Sequence, residues 1–267
     1  SGTEREEAAR EVATALAHVD VRNALQWAEQ LTDGSAKISA LTPALSRWAE
    51  DDPKAAAEFA KDRSKGEEGQ ILLDKIAAQW TMKDPSGALA WAQSLPQNVR
   101  ETAVPGIISA LAHSDPSAAA ERAANLSGEM QVEATGAVAS QWAETDVTAA
   151  SKWAASLPEG TAREQAFQDL LNQWSKDDPS GAAAWLGTLP QSRSRDAAIG
   201  AFTNRVAAVD PPAALQWAVT ISDNAMRESQ SEIAARAWLA IDRAGASDWI
   251  ASSPLPEELK GRLIAGN

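Results

Sequence analysis

The chain has 267 residues, no cysteine, two histidines and a net charge of −13, which excludes a disulfide framework, a thiolate metal site, a cysteine nucleophile and a histidine-rich metal centre. The negative charge repels phosphate backbones and so argues against a nucleic-acid partner, and no run of 18 apolar residues offers a membrane span. An apolar fraction of 44% belongs to a folded chain rather than a disordered one.

The leading Ser1-Gly2 reads as a vector remnant, so any targeting segment is expected to have been removed ahead of it. Compartment is therefore left open, with a soluble chain on either side of a bacterial membrane, extracytoplasmic included, compatible with zero cysteine. Ala9, Val12, Ala13 and Leu16 then fall on one helical face and predict a helix running up to Asp20.

From Asp20 onward the chain repeats. Asp20, Asp52, Asp84, Asp115, Asp146, Asp178, Asp210 and Asp242 follow one another at intervals of 31 or 32 residues. Four residues after each stands an alanine: Ala24, Ala56, Ala88, Ala119, Ala150, Ala182, Ala214 and Ala246. Seven after each stands Trp27, Phe59, Trp91, Arg122, Trp153, Trp185, Trp217 or Trp249, and four before each stands Leu16, Trp48, Trp80, Leu111, Trp142, Trp174, Val206 or Trp238. These two columns hold all 11 tryptophans, so the chain is a tandem array of about eight units over residues 1–267.

Each unit predicts two helices. Aspartate is a favoured N-cap, and the proline after it in five units (Pro53, Pro85, Pro116, Pro179, Pro211) suits a first helical turn. In the sixth unit Ala182, Trp185, Leu186 and Leu189 make the apolar stripe. Leu-Pro at 95–96, 157–158, 189–190 and 255–256 stops the first helix, because the residue before proline is pushed out of the α region. The second helix follows at once. In the fifth unit Thr161 to Glu164 has the spacing of a capping box, and Phe167, Leu170, Leu171 and Trp174 form the stripe. The third unit repeats that stripe with Val104, Ile107, Ile108 and Leu111, and a last short helix runs from about Pro256 to Ala265. About 16 helices and no strands are expected, with short links that make consecutive helices antiparallel. The two tryptophan columns straddle the Asp corner. Trp80 should therefore meet Trp91, Trp142 meet Trp153, Trp174 meet Trp185, and Trp238 meet Trp249. Such rings make a glue between units, and the competing reading is a row of exposed aromatic platforms for sugars.

The stretch Asp84-Pro85-Ser86-Gly87-Ala88-Leu89-Ala90-Trp91 resembles the junction between consecutive tetratricopeptides. The interval is shorter than that class's roughly 34 residues, its Leu-Gly and Tyr positions are missing, and the second aromatic column is foreign to it. The resemblance implies an all-α, right-handed α-solenoid of about eight two-helix repeats that holds a protein or peptide on a concave face, without cofactor or catalysis. A carbohydrate-binding module using exposed tryptophans is the alternative, and a hydrolase or lyase built on helical hairpins is a third reading.

Chemistry-bearing residues are few. His18 and His113 occupy the same position in different units and are expected in last helical turns. The acidic pairs 51–52, 67–68 and 177–178 are expected to cap helix N-termini. No metal-binding motif, Gly-rich phosphate loop or nucleophile elbow occurs. Arg100, Arg163, Arg195 and Arg227 recur near the start of second helices, where a cation opposes the dipole. They are expected either to bond carboxylates or carbonyls of the array, or to grip carboxylates of an extended ligand. The fourth unit breaks both aromatic columns, which makes Arg122 a candidate ligand contact. The second unit carries the charged stretch 61–66 in place of Leu-Pro.

Overall fold

The computed structural model describes residues 2–61 and 67–265, and the side chains of 67–71 and 98 lie outside the description. The charged stretch after Lys61 and the Glu67-Glu68 carboxylates are therefore not among the described features. The described residues are all-helical. The helices are α1 (Gly2–Val19), α2 (Val21–Glu29), α3 (Gly34–Asp51), α4 (Pro53–Lys61), α5 (Glu67–Lys83), α6 (Pro85–Gln93), α7 (Gln97–Ser114) and α8 (Pro116–Ala124). They continue as α9 (Gly128–Ser156), α10 (Thr161–Asp177), α11 (Pro179–Thr188), α12 (Arg193–Val206), α13 (Pro211–Ala218), α14 (Asn224–Ile241), α15 (Arg243–Ser252) and α16 (Glu257–Ala265). α9 is two helices in one, broken by Asp146 at φ −151°, ψ 87°. By compactness the chain divides within α8 into residues 1–119 and residues 120–267.

The Asp column makes the corners. Its side chains accept from the backbone N–H three residues on at Ala55, Gly87, Ala118, Ala149, Gly181, Ala213 and Gly245, at 2.8–3.0 Å. Asp20 instead takes Arg22 N–H at 2.9 Å and Asn23 N–H at 3.4 Å. The same residue also ends the helix before it, since the N–H groups of Asp52, Asp84, Asp178 and Asp242 donate to the carbonyls of Trp48, Trp80, Trp174 and Trp238. One residue thus separates two helices at Asp20, Asp52, Asp84, Asp115, Asp178 and Asp242, whereas residues 207–210 lie between α12 and α13. All eight column alanines are 0% exposed, because a single methyl is what lets the two backbones of a corner close up.

That tight corner brings the rings together as the spacing predicts. Trp80–Trp91, Trp142–Trp153, Trp174–Trp185 and Trp238–Trp249 have centroids 5.7, 5.7, 6.1 and 6.1 Å apart, and Trp48–Phe59 makes the equivalent pair at 5.7 Å. Trp80 and Trp91 are buried, and the other tryptophans are half-buried.

In residues 1–119 the long helices α1, α3, α5 and α7 pack each on the next, with the short helices α2, α4 and α6 against them. Hydrogen bonds between helices recur across 33 residues, about one interval of the sequence pattern. Gln79 Nε2 donates to Ser46 O at 3.0 Å, and Trp91 Nε1 donates to Glu58 Oε1 at 2.7 Å. The Lys61 ion pair holds the Glu58 carboxyl below its usual range; partial burial opposes this and the Trp91 bond adds to it. In residues 120–267 α9, α10, α12, α14 and α16 pack in the same succession. A buried apolar cluster runs along them, through Phe167, Leu170, Ile199, Phe202, Leu215 and Leu259.

Leu157 and Leu189 sit in extended conformation at ψ 146° and 137°, as a following proline requires. Two expectations need correction. The capping box at Thr161 is not formed: Gly160, at φ 151°, is the N-cap, which makes Thr161 the first helical residue and leaves the cap without a side-chain bond. The functioning caps of this kind are Asp33, Ser192 and Asp223. In the acidic pairs, Asp51 and Asp177 close the preceding helices, so only Asp52 and Asp178 face an N-terminus. The single-residue corner leaves no room for both.

Candidate functional site

His18 and His113 are exposed in the last turns of α1 and α7. Among the described residues no group of three or more metal-ligating side chains occurs.

The arginine column is used within the fold. Arg163 Nη1 bonds Leu157 O and Glu159 Oε1, both at 3.2 Å, and its guanidinium lies 5.0 Å from the Phe167 ring centre. Arg227 Nη1 donates to Ile221 O at 2.8 Å and Ser222 O at 3.3 Å. Arg100 donates to Gln93 O at 3.4 Å. Arg100 and Arg163 thus answer carbonyls at the end of the preceding helix, and Arg227 those of the loop between α13 and α14. Arg195 instead reaches forward to Thr220, bonding its carbonyl at 3.3 Å and its hydroxyl at 3.5 Å. Arg122 is half-buried in α8 and has interactions of its own.

A cleft of about 940 Å³ lies where the N-terminal turns of α10, α12 and α14 come side by side. Its walls include Glu164 and Gln168 of α10, Ser192, Arg193 and Asp196 of α12, and Ser222, Asp223 and Met226 at the start of α14. Arg193 pairs with Glu164 at 3.1 Å. Asp223 accepts from Met226 N–H at 2.8 Å and caps α14.

Asp196 organises this wall. It is 4% exposed, and its two oxygens accept from Ser222 N–H at 2.9 Å and Asp223 N–H at 3.0 Å. A buried carboxylate is retained only where such donors replace water. One residue earlier Arg195 holds Thr220, and one before that Ser194 donates to Glu159 Oε2 at 2.8 Å. The first turn of α12 therefore ties the loop before it to the loop after it. Burial pushes the Glu159 carboxyl up. Hydrogen bonds from Ser194 and Ser192 and the Arg163 charge outweigh that and leave it below its ordinary value. Sequence reasoning missed Asp196. The available signal was an acid directly after each arginine of the column: Glu101, Glu164, Asp196 and Glu228.

A second, half-buried carboxylate, that of Asp169, flanks this region. A Cβ added at Gly136 of α9 would fall 2.2 Å from Asp169 Oδ2 and 2.8 Å from Gln165 Cγ, so a larger residue there would have to displace these side chains of α10. Burial raises the Asp169 carboxyl above the usual range, against a 2.8 Å bond from Gln165. A raised folded-state value means that the native state binds the proton more tightly. The contribution of Asp169 to stability is thus fully present below the ordinary aspartate value of about 3.9 and is lost as pH rises through the raised value. Asp169→Asn is expected to raise the melting temperature at neutral pH, with the gain shrinking to nothing in acid. Thermal melts across the pH range check this, and a gain independent of pH would contradict it.

Compared with family profiles, curated proteins and solved structures, the chain has no match.

Proposed function

We propose that the chain is an α-solenoid of about eight tetratricopeptide-like repeats that binds a protein or peptide segment, without catalysis. The succession of helix contacts within each compact unit and the one-interval hydrogen bonds support the repeat architecture. The observation that carries the function is the roughly 940 Å³ cleft at the starts of α10, α12 and α14. Its charged groups are already bonded: Glu164 to Arg193, Asp196 to two backbone N–H groups, Asp223 to its cap. Such groups shape a wall more readily than they transfer protons. The amides of Gln168 and Gln191 offer donors and acceptors that match a peptide main chain, and Met226 adds an adaptable apolar contact. The tryptophans that a sugar-binding reading would use as platforms pack instead largely against one another.

Selection of displayed peptides on the intact chain tests the proposal. Selected peptides are expected to protect the amides around Ser192 and Asp223 from exchange, and to bind at least about tenfold more weakly to a Gln168→Ala, Gln191→Ala variant. Peptides insensitive to both changes, or peptides cleaved on incubation, would sink the reading.

A further inference from the structure

Three repeats lack a tryptophan four residues before the corner aspartate, having Leu16, Leu111 and Val206 there, and Val206 of the seventh is the smallest of these side chains. Where Trp48, Trp80, Trp142, Trp174 and Trp238 stand four residues before the corner aspartate, the seventh repeat has Val206. Trp217, seven residues after Asp210, therefore lacks the indole that Trp91, Trp153, Trp185 and Trp249 meet, and its ring partner is Phe202 at 6.2 Å and 71°. A cavity of about 360 Å³ opens at this place, lined by Val206, Phe202, Ala213 and Trp217 among others. It lies at the C-terminal end of α12, whereas the polar cleft lies at that helix's start.

Comparison with the preceding repeat locates the cavity relative to the missing ring. There, Trp174 packs 6.1 Å from Trp185, and its indole nitrogen lies 3.2 Å from where a Cβ on Gly181 would be. Gly181 stands three residues after its aspartate, and the residue at that place in the seventh repeat is Ala213. Val206, Ala213 and Trp217 correspond to Trp174, Gly181 and Trp185, and all three line the cavity. The space falls where the chain's own pattern puts an indole, and its volume lies within the range of about 300–1,000 Å³ typical of small-ligand sites.

The rim has a definite charge. Lys176 and Arg205 are exposed at its edge, in a protein whose net charge is −13. Asp210, which also lines the cavity, accepts from Ala213 N–H at 3.0 Å, so the lining carries two cations against one carboxylate, and Lys176 Nζ donates to the neutral amide oxygen of Gln173 at 2.6 Å.

We propose that this cavity is a binding site for a planar aromatic ring of indole size carried next to a carboxylate. The ring stacks on Trp217 in place of the absent tryptophan, and the carboxylate meets Lys176 and Arg205. Such a ligand is either a free aromatic acid or an aromatic side chain in an acidic segment of a partner.

The test uses the whole chain, with indole-3-acetate and tryptamine as probes of opposite charge, read by ligand-observed NMR titration. Indole-3-acetate is expected to bind, and tryptamine to bind about fivefold more weakly. Val206→Trp fills the cavity from within. It is expected to raise Tm by about 2–4 °C and to weaken indole-3-acetate at least about tenfold. Lys176→Glu with Arg205→Glu changes exposed residues only, and is expected to reverse the preference between the probes. Unchanged binding to Val206→Trp, or an unchanged preference in the double variant, overturns the assignment. An Asp-Trp-Asp peptide separates the two sources: tighter binding than the free acid assigns the site to a partner's side chain, and weaker binding assigns it to a small aromatic acid.

Discussion

Replacing Trp185 with alanine is expected to destabilise the chain by about 3 kcal/mol, the lower end of the range for a tryptophan truncated in a core, because the ring is only half-buried. The ring has two aromatic neighbours: Phe167 at 5.0 Å, edge-on at 77°, and Trp174 at 6.1 Å, tilted by 42°. Truncation leaves both facing a void in a place where the backbones cannot close further, since Ala182 beside them is already 0% exposed. The Trp174–Trp185 pair should account for about 0.5–1.5 kcal/mol of the loss as a coupling energy in a double-mutant cycle. Trp217→Ala should cost less, because its ring borders a cavity and its recorded ring contact is with Phe202 alone. Urea unfolding followed by far-ultraviolet circular dichroism measures all of these. A loss below about 1 kcal/mol for Trp185→Ala would mean that the paired rings do not hold the corners together.

The ring pairs were legible in the sequence because the distance between them is short and rigid. Trp185 stands eleven positions after Trp174, and only Asp178 between them is non-helical, so two helical phases and one corner fix the contact. The cap bonds of the Asp column follow from the same local geometry. Contacts that depend on how one hairpin sits on the next were not legible. Arg195 and Asp196 find their partners 25 to 27 residues away, in a loop whose backbone direction no periodicity encodes. Arg163 and Arg227, whose partners lie five or six residues back, fall within the expected choice between array carbonyls and a ligand. Thr161 failed as a cap because Gly160 adopts a left-handed φ and starts the helix one residue early, a substitution of backbone freedom for side-chain bonding that a spacing rule does not see. The cavity beside Trp217 is marked in the sequence only by a valine in an aromatic column, and a smaller side chain reads as drift until the space it leaves is seen.

Asp196→Ala is the second substitution with a large expected effect. Its carboxylate is buried and accepts from two consecutive backbone N–H groups, so alanine leaves Ser222 N–H and Asp223 N–H without their acceptor. Charged hydrogen bonds of this kind contribute about 1.5–3 kcal/mol, and an orphaned donor costs about 1–3 kcal/mol. Because the loop can take up water, a total loss of about 2–4 kcal/mol is expected. Asparagine should rescue little: one of its two terminal groups is itself a donor and would face a donor. The remaining ties, Arg195 and Arg227 on Thr220, Ile221 and Ser222, should keep the loop attached but loosened. Amide exchange is therefore expected to speed up at Ser222 and Asp223 before global unfolding does, and equally in the alanine and asparagine variants. The same loop forms one wall of the polar cleft, so peptide affinity should fall in parallel with that local opening. Exchange at Ser222 and Asp223 that stays at the wild-type rate in Asp196→Ala would show that the carboxylate is not what holds the wall.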